Sequence, residues 1–246
     1  MVVANMVVTS LFVANMFVTL GAMTPSNERP SRRERPAKPA LTRDGIIRAA
    51  LAIARADGLE KVTMRRVAEQ LDTGAASLYV YVRNTADLHA AMLDEILATV
   101  DLTPATAAGP WRQRLAAVLT SYSLVLFANP ALAQSAMASR PSGPNYLSLI
   151  ECLLTLLKAG GVPDDQAAWG VDLLMLYATG IAAEQGALSG RAEAHDEYHA
   201  LVAALRGADT ARYPEIARLA DQLVSDGDRL AWGFQAVIAG IAATPR

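Results

Sequence analysis

The chain has little of what several common protein classes require. Its 246 residues include one cysteine, Cys152, which excludes an internal disulfide and a cysteine-based zinc cluster. Three histidines and one thiol do not supply a set of acid, base and nucleophile, so an all-α enzyme is only the rival interpretation. Aromatic residues make up 6% of the chain, whereas alanine, leucine and arginine are abundant. This composition favours helix.

Charged residues are absent from residues 1–23, which contain the repeat VANMVVT and VANMFVT. An apolar run of about 20 residues is long enough to cross a bilayer, so a membrane-tethered regulator is one alternative. No basic residue precedes the run, which argues against a signal peptide. We favour a leader that is disordered or not normally made, with Met23 as the alternative start and residues 24–40 as a flexible basic arm.

The remaining charge is distributed unevenly along the chain. Residues 24–90 carry 12 Lys and Arg against 8 Asp and Glu, whereas residues 91–246 carry 10 against 16. A basic front segment on an acidic body indicates that the front segment meets a polyanion.

Helix signals begin at Thr42, an N-cap residue followed by an apolar stripe that Asp57-Gly58 ends. Thr63 is expected to cap a second helix and Thr85 a fourth. Between them, the sequence Asp72-Thr73-Gly74 predicts a turn in which Gly74 adopts a positive φ.

The stretch Leu78-Tyr79-Val80-Tyr81-Val82 alternates in a way that is also typical of a strand. A strand here would lack a partner, because the only other strand-like segment is the leader. As a helix, the stretch turns Leu78 and Val82 inward and Tyr79 outward. Two short helices joined by a glycine-containing turn predict a helix-turn-helix.

Residues 42–93, TRDGIIRAALAIARADGLEKVTMRRVAEQLDTGAASLYVYVRNTADLHAAML, resemble the DNA-binding domain of TetR-family transcriptional repressors. The resemblance rests on Gly58 and Thr63, on Val67-Ala68, and on Leu78-Tyr79 followed by Val82, Asn84 and Leu88. The chain departs from the family pattern at three positions. Family members usually have glycine where Asp72 stands, histidine or another aromatic where Tyr81 stands, and lysine where Thr85 stands.

The resemblance and the residue chemistry together give a predicted set of DNA contacts. Hydroxyl and basic side chains would fix the register on the phosphates, Arg65 would reach a base, and the small residues of the recognition helix would approach thymine methyl groups. For Arg66, a solvated charge on the helix face is favoured over a contact with a base. The predicted residues are Thr63, Arg65, Arg66, Ala75, Ala76, Ser77, Tyr79, Tyr81, Arg83 and Thr85.

The back half, with GGVPDDQAAWGVDLLMLYATGIAAEQ and RLAWGFQAVIAGI, resembles the regulatory domain of the tetracycline-repressor type. The resemblance implies a homodimer that forms through the long helix near 164–188 and the C-terminal helix near 226–242. The predicted fold is all-α, with a three-helix helix-turn-helix domain and a larger helical ligand-binding and dimerisation domain. Its predicted parts are residues 1–40 (leader and arm), 41–88 (DNA-binding domain) and 89–246 (regulatory domain).

A cavity between the regulatory helices would bind an apolar or amphipathic small molecule. For each lining candidate, plain core packing is the alternative. The candidates are Tyr122, Leu126, Phe127, Met137, Tyr146, Leu153, Trp169, Leu173, Tyr177 and Glu184, with Cys152 beside them.

Neither a metal nor another cofactor is expected. His195 and His199 stand four residues apart, but a solvated polar face is favoured over a zinc site. The metal–drug complex of tetracycline repressors is not expected either, because the earlier helices have no matching histidine. The sequence therefore predicts a cytoplasmic repressor that binds a palindromic DNA operator as a homodimer and is released by a small-molecule effector, without a membrane partner.

Overall fold

The computed structural model describes residues 40–138, 141–189 and 191–246. The predictions for the leader and for the basic arm up to residue 39 lie outside these residues. The described part of the chain is helical and contains no strand. Its helices are α1 (Arg43–Asp57), α2 (Met64–Gln70), α3 (Ala75–Leu78), α4 (Thr85–Leu97), α5 (Trp111–Phe127), α6 (Pro130–Ala138), α7 (Pro144–Ala159), α8 (Asp164–Ser189), α9 (Ala194–Arg206), α10 (Pro214–Leu223) and α11 (Arg229–Ala243).

The first three helices form a compact head whose ends follow the predicted capping chemistry. Thr42 accepts a hydrogen bond of 3.1 Å from the Gly45 N–H, and Thr63 accepts one of 3.2 Å from the Arg66 N–H. Gly58 ends α1 with a φ of 96°, a conformation that residues with a Cβ rarely adopt. The two N-caps and the stop at Gly58 are confirmed.

The contested stretch is helical, but its helix is shorter than predicted. A single turn, Ala75–Leu78, is followed by a hydrogen-bonded turn in which the N–H groups of Tyr81 and Val82 donate to the Leu78 carbonyl. Leu78 and Val82 are buried, whereas Tyr79 faces solvent. This arrangement confirms the helix-turn-helix and rules out the strand.

Two local predictions in the head are wrong. Gly74 has a φ of −80°, and the positive φ of this turn, 50°, belongs to Asp72. Aspartate tolerates the left-handed region better than most residues, so it can stand where the family usually has glycine. The N-cap of α4 is Asn84, whose side chain accepts from the Asp87 N–H, and Thr85 is the first residue of the helix.

Helix α4 joins the head to a larger helical body. It packs on α1 at one end and on α6 and α7 in the body. The helix runs without a break across the expected domain boundary at 88/89. The two parts of the protein therefore share one continuous helix.

The body is built around α8, which contacts α5, α6, α7 and α11. Its largest fully buried side chains include Leu115, Leu119, Leu126, Leu153 and Phe234. Helices α9 and α10 pack mainly on each other, and α9 contributes no buried residue. Within the described residues, no single helix is long and apolar enough to span a membrane; α5 and α6 meet that criterion only together, and they are bent by 106°.

Candidate nucleic-acid interface and ligand pocket

The turn after α3 presents side chains directly to solvent. Leu78 and Val82 are fully buried and anchor the turn, so the residues between them project outward. Tyr79 is 54% exposed and Val80 is 81% exposed. A buried aliphatic pair below and an exposed aromatic and aliphatic pair above suit a surface that enters a DNA groove.

Tyr81 ties this turn to the start of the head. Its hydroxyl donates a hydrogen bond of 2.8 Å to the carbonyl of Leu41, which directly precedes the N-cap of α1. The ring is 37% exposed, so one edge is still available to a phosphate. Tyr81 therefore has a structural contact beside its predicted DNA contact.

The two arginines of α2 have intramolecular partners. The guanidinium of Arg65 binds the Glu69 carboxylate at 2.8 Å, although the Arg65 side chain is 87% exposed. The hydrogen bond and the charge of Glu69 raise the pKa of Arg65. The guanidinium of Arg66 binds Asp57 at 2.8 Å, at the end of α1. Exposed ion pairs contribute only about 0–1 kcal/mol, so DNA can replace the Glu69 contact at little cost.

The beginning of α4 carries a second polar cluster. Asp87 accepts hydrogen bonds from the backbone N–H of Arg83 at 2.9 Å and from its guanidinium at 3.3 Å. The backbone hydrogen bond and then the guanidinium hold the pKa of Asp87 below its ordinary value, and partial burial opposes them. Thr85 lies in the first turn of this helix, where free N–H groups and the helix dipole attract a phosphate.

The other predicted DNA contacts belong to the short helix α3. Ala76 and Ser77 are exposed on α3, and Ala75 is half-buried against the core. Sequence reasoning missed Val80, which is the most exposed residue of the turn. The alternation that suggested a strand would have placed Val80 on the same face as the inward Leu78 and Val82. The turn after Leu78, which the alternation does not indicate, directs Val80 to solvent.

A small cavity in the body brings together three of the predicted ligand residues, Tyr122, Met137 and Tyr146. Its volume is about 80 Å³, well below the roughly 300–1,000 Å³ of drug-sized ligand sites. The lining residues are Leu93, Tyr122, Ala136, Met137, Pro141, Tyr146, Asp172, Met175, Leu176 and Thr179. Sequence reasoning missed the other seven: Leu93, Ala136, Pro141, Asp172, Met175, Leu176 and Thr179.

A buried hydroxyl pair stands in the wall of this cavity. The Tyr122 and Thr179 oxygens lie 2.7 Å apart and join α5 to α8. Burial raises the pKa of Tyr122 to about 12, which keeps the phenol protonated at neutral pH. The pair can therefore exchange hydrogen bonds with a polar group on an otherwise apolar ligand.

The other predicted ligand residues lie elsewhere. Leu126 and Leu153 are fully buried in the core, Cys152 is buried beside a shallow groove on α7, and Phe127 is half-buried. Trp169 and Leu173 are exposed on the outer face of α8, and Glu184 is exposed as well. Tyr177 packs edge-on against Phe234, and its hydroxyl donates to the Arg229 carbonyl at 3.2 Å.

The two histidines of α9 lie side by side on an exposed helix, with their Nε2 atoms 2.9 Å apart. Among the residues that the structure describes, no group of three or more histidine, cysteine, aspartate or glutamate side chains could hold a metal ion.

Comparison with protein families matches both parts of the molecule. Residues 46–92 match the model described as "Bacterial regulatory proteins, tetR family", and residues 103–244 match "Tetracyclin repressor-like, C-terminal domain". The chain belongs to the TetR family. The predicted resemblance is therefore confirmed for both the head and the body of this TetR-family member.

Two curated TetR-family relatives align along most of the chain. The HTH-type transcriptional repressor DrrR1 of Streptomyces coeruleorubidus is 31% identical over 91% of this chain and 84% of its own length. An HTH-type transcriptional regulator of Saccharopolyspora erythraea is 30% identical over 88% of this chain and 90% of its own.

Solved structures share the fold. A crystal structure of the candidate transcription regulator SCO7704 from Streptomyces coelicolor is 54% identical, with a TM-score of 0.71 over 85% of this chain and 98% of that one. ActR of Streptomyces coelicolor in complex with actinorhodin is 34% identical, with a TM-score of 0.74 over 83% and 97% of the two chains. This TetR-family member is a ligand-responsive DNA-binding transcriptional repressor and not an enzyme, as the sequence predicted.

Proposed function

We propose that the active form is a homodimer held together by α8 and α11. On α8, Trp169, Leu173 and Leu176 are each about half exposed or more, and their spacing places them on one face of the helix. On α11, Trp232 is 75% exposed. Contiguous apolar surface of this kind marks an interaction site, and a self-complementary patch of two helices suits a twofold dimer.

The glycines on α8 and α11 have two different surroundings: two pack inside the subunit, and two lie beside open space at the proposed interface. Gly170 and Gly233 are buried where α8 packs on α11, and a Cβ there would overlap Ile241 and Tyr177 respectively. Gly180 and Gly240 have open space beside their Cα atoms. The second pair therefore leaves room for the close approach of a partner helix.

Such a dimer would carry two heads toward a palindromic operator with half-sites about one helical turn apart. The observation that carries this proposal is the outward Tyr79-Val80-Tyr81 turn, fixed from below by Leu78 and Val82. Arg65 and Val80 would read bases, and Thr63, Arg83 and Thr85 would bind phosphates. Arg66 would hold α2 to α1 through Asp57, and its contact with DNA would be secondary. The protein would act in the cytoplasm, where chromosomal operators are accessible.

We propose that the effector is an apolar or amphipathic small molecule that binds in the cavity beside Tyr122 and Tyr146. ActR, whose fold is the same, has been crystallised with actinorhodin, which makes that compound a suitable first probe. The effector would favour a conformation whose heads are misplaced for the operator. A coupling of about 1–3 kcal/mol suffices to change affinity 5- to 150-fold.

The central test is selection of operator sequences by the purified protein from a random duplex library. We expect a palindrome to be enriched, with Arg65→Ala weakening binding about tenfold or more and relaxing the sequence preference at the base pair that Arg65 reads. Arg218→Ala is the matched control, because Arg218 forms a similar exposed ion pair with Glu215 on α10, far along the chain from the head. If no sequence is enriched over random competitor, the proposal fails.

A further inference from the structure

Asp94 makes a buried contact between the head-bearing helix and the body. It lies on α4 and is only 8% exposed, although it is a carboxylate. Its Oδ1 accepts a hydrogen bond of 2.9 Å from the Tyr146 N–H, and its Oδ2 accepts one of 3.3 Å from the Asn145 side-chain amide. Both donors belong to the first turn of α7.

These contacts supply the N-cap that α7 lacks in its own sequence. Gly143 occupies the N-cap position and has no side chain to offer, and Pro144 has no N–H. The N-terminus of a helix attracts negative charge through its free N–H groups and its dipole. The carboxylate that satisfies α7 therefore comes from another element, about fifty residues away in the chain.

Gly143 is required by this arrangement. A Cβ on Gly143 would overlap the Asp94 carboxyl group, whereas its backbone, with φ −83° and ψ 176°, would accept any residue. Only the space taken by Asp94 demands glycine here. The contact between α4 and α7 therefore depends on a residue on each side: the Asp94 carboxylate on α4 and the glycine at position 143 before α7.

The same contact adjoins the cavity of the body. Leu93, the neighbour of Asp94, lines the cavity, and so does the side chain of Tyr146, whose backbone donates to Asp94. A molecule that moves the backbone of Tyr146 together with its side chain would shift the N-terminus of α7 and the carboxylate bound to it. Since α4 continues into the head, that shift reaches the surface that contacts DNA.

We propose that Asp94 is a positioning residue that fixes the orientation of the heads relative to the cavity by capping α7 from α4. The homodimer and the DNA contact that this inference uses rest on the proposed function. The residue touches neither DNA nor effector, and it acts through Tyr146 and α4. Its removal should loosen the heads even when no effector is present.

The first experiment measures head position without DNA. Spin labels at Arg55→Cys, exposed on α1, in a Cys152→Ala background report the head-to-head distance in the dimer by pulsed electron resonance. We expect Asp94→Ala to broaden or shift this distribution. Asp94→Asn should restore it, because an asparagine oxygen also accepts from a helix N–H.

The second experiment measures affinity for the operator selected by the wild-type protein. Asp94→Ala should weaken binding on the order of tenfold, a typical coupling effect, with Asp94→Asn close to wild type. Asp209→Ala is the matched control: the Asp209 carboxylate accepts hydrogen bonds of 2.8 Å from the Ala211 and Arg212 N–H groups just before α10, away from α4 and from the proposed dimer interface. It should lower thermal stability without changing head distance or affinity.

Gly143→Ala gives an independent route if Asp94→Ala folds poorly. Its Cβ should separate α7 from Asp94 and reproduce the change in head distance, whereas Gly227→Ala, with open space around it, should not. The inference is overturned if Asp94→Ala and Gly143→Ala leave the distance distribution as in their controls. If the distances change as expected but the wild type selects no operator, the proposed function fails and the positioning role stands.

Discussion

The hydroxyl of Tyr81 donates a hydrogen bond of 2.8 Å to the carbonyl of Leu41, across forty residues of the chain. This bond joins the exposed turn that we propose to face DNA to the residue that precedes α1, next to the basic segment of the sequence. Tyr79, two residues earlier, is more exposed and has no such bond to the described part of the chain. Tyr81 therefore makes a structural contact, whereas Tyr79 is free of such a contact within the described residues and is proposed to bind DNA.

We expect Tyr81→Phe to lower the free energy of unfolding by about 0.5–1.5 kcal/mol, because the Leu41 carbonyl loses its donor. Tyr79→Phe is the matched control and should leave stability unchanged while weakening binding to the selected operator. Denaturant unfolding and operator titration of both variants test this difference. Equal losses of stability in the two variants would contradict the structural role of Tyr81.

The cluster around Asp87 predicts a dependence of stability on pH. The pKa of Asp87 lies below its ordinary value of 3.8, chiefly because of the Arg83 N–H. A carboxylate with a depressed pKa contributes stability that is present above its unfolded pKa and is lost as the pH falls through its folded pKa. Asp87→Asn should therefore be less stable than wild type near neutral pH by a few tenths of a kcal/mol, because solvent screens this partly exposed charge.

Unfolding of wild type and Asp87→Asn at a series of pH values measures this effect. The difference in the free energy of unfolding between the two proteins should be constant above about pH 5. It should shrink as the pH falls through the lowered pKa of Asp87 in the folded protein. Asp196→Asn, on the exposed face of α9, serves as the control for a lost surface charge. A difference that stays the same down to the most acidic condition would show that Asp87 does not act through its charge.

The outer face of α8 predicts an assembly defect. Leu173→Glu should place a charge in the proposed dimer interface and shift the protein toward monomer, since unpaired buried charge is costly. Leu147→Glu, which changes an equally exposed leucine on α7, should leave the dimer intact. Light scattering during gel filtration distinguishes the two masses, and a fully dimeric Leu173→Glu would contradict the interface.

The Tyr122–Thr179 pair predicts coupled effects on stability. Tyr122→Phe or Thr179→Val alone leaves one buried hydroxyl without its partner, at a cost of about 1–3 kcal/mol. The double variant should lose less unfolding free energy than the sum of the losses in the single variants, because neither buried hydroxyl group is left without a partner. A double-mutant cycle by denaturant unfolding tests this, and additive losses would show that the hydroxyl pair contributes little.

Local chemistry explains why much of the head could be predicted from the sequence. Thr42 and Thr63 accept hydrogen bonds from N–H groups only three residues away. Their capping roles therefore depend on the local sequence alone. The turn at 72–74 could not be predicted as well. Its conformation depends on the hydrogen bonds that Asp72 and Thr73 make back to α2, and these favour the left-handed backbone at Asp72 and not at Gly74.

The ligand residues were harder to predict because α8 is apolar on nearly every side. Leu174 and Ala178 face the core, Met175 lines the cavity, and Trp169 and Leu173 face outward. Hydrophobic periodicity identifies such a helix but does not say which neighbour covers each face. The three environments become distinct only when α5, α7 and α11 are in place.

The small volume of the cavity bears on how sensitive the repressor is to the effector that we propose to bind there. A space of about 80 Å³ admits little more than a few water molecules, so occupancy by a larger compound requires a rarer, expanded form. The apparent dissociation constant then rises in inverse proportion to the population of that form. Substitutions that only change this population would reset the concentration at which the genes are switched on, without altering a single contact to the inducer.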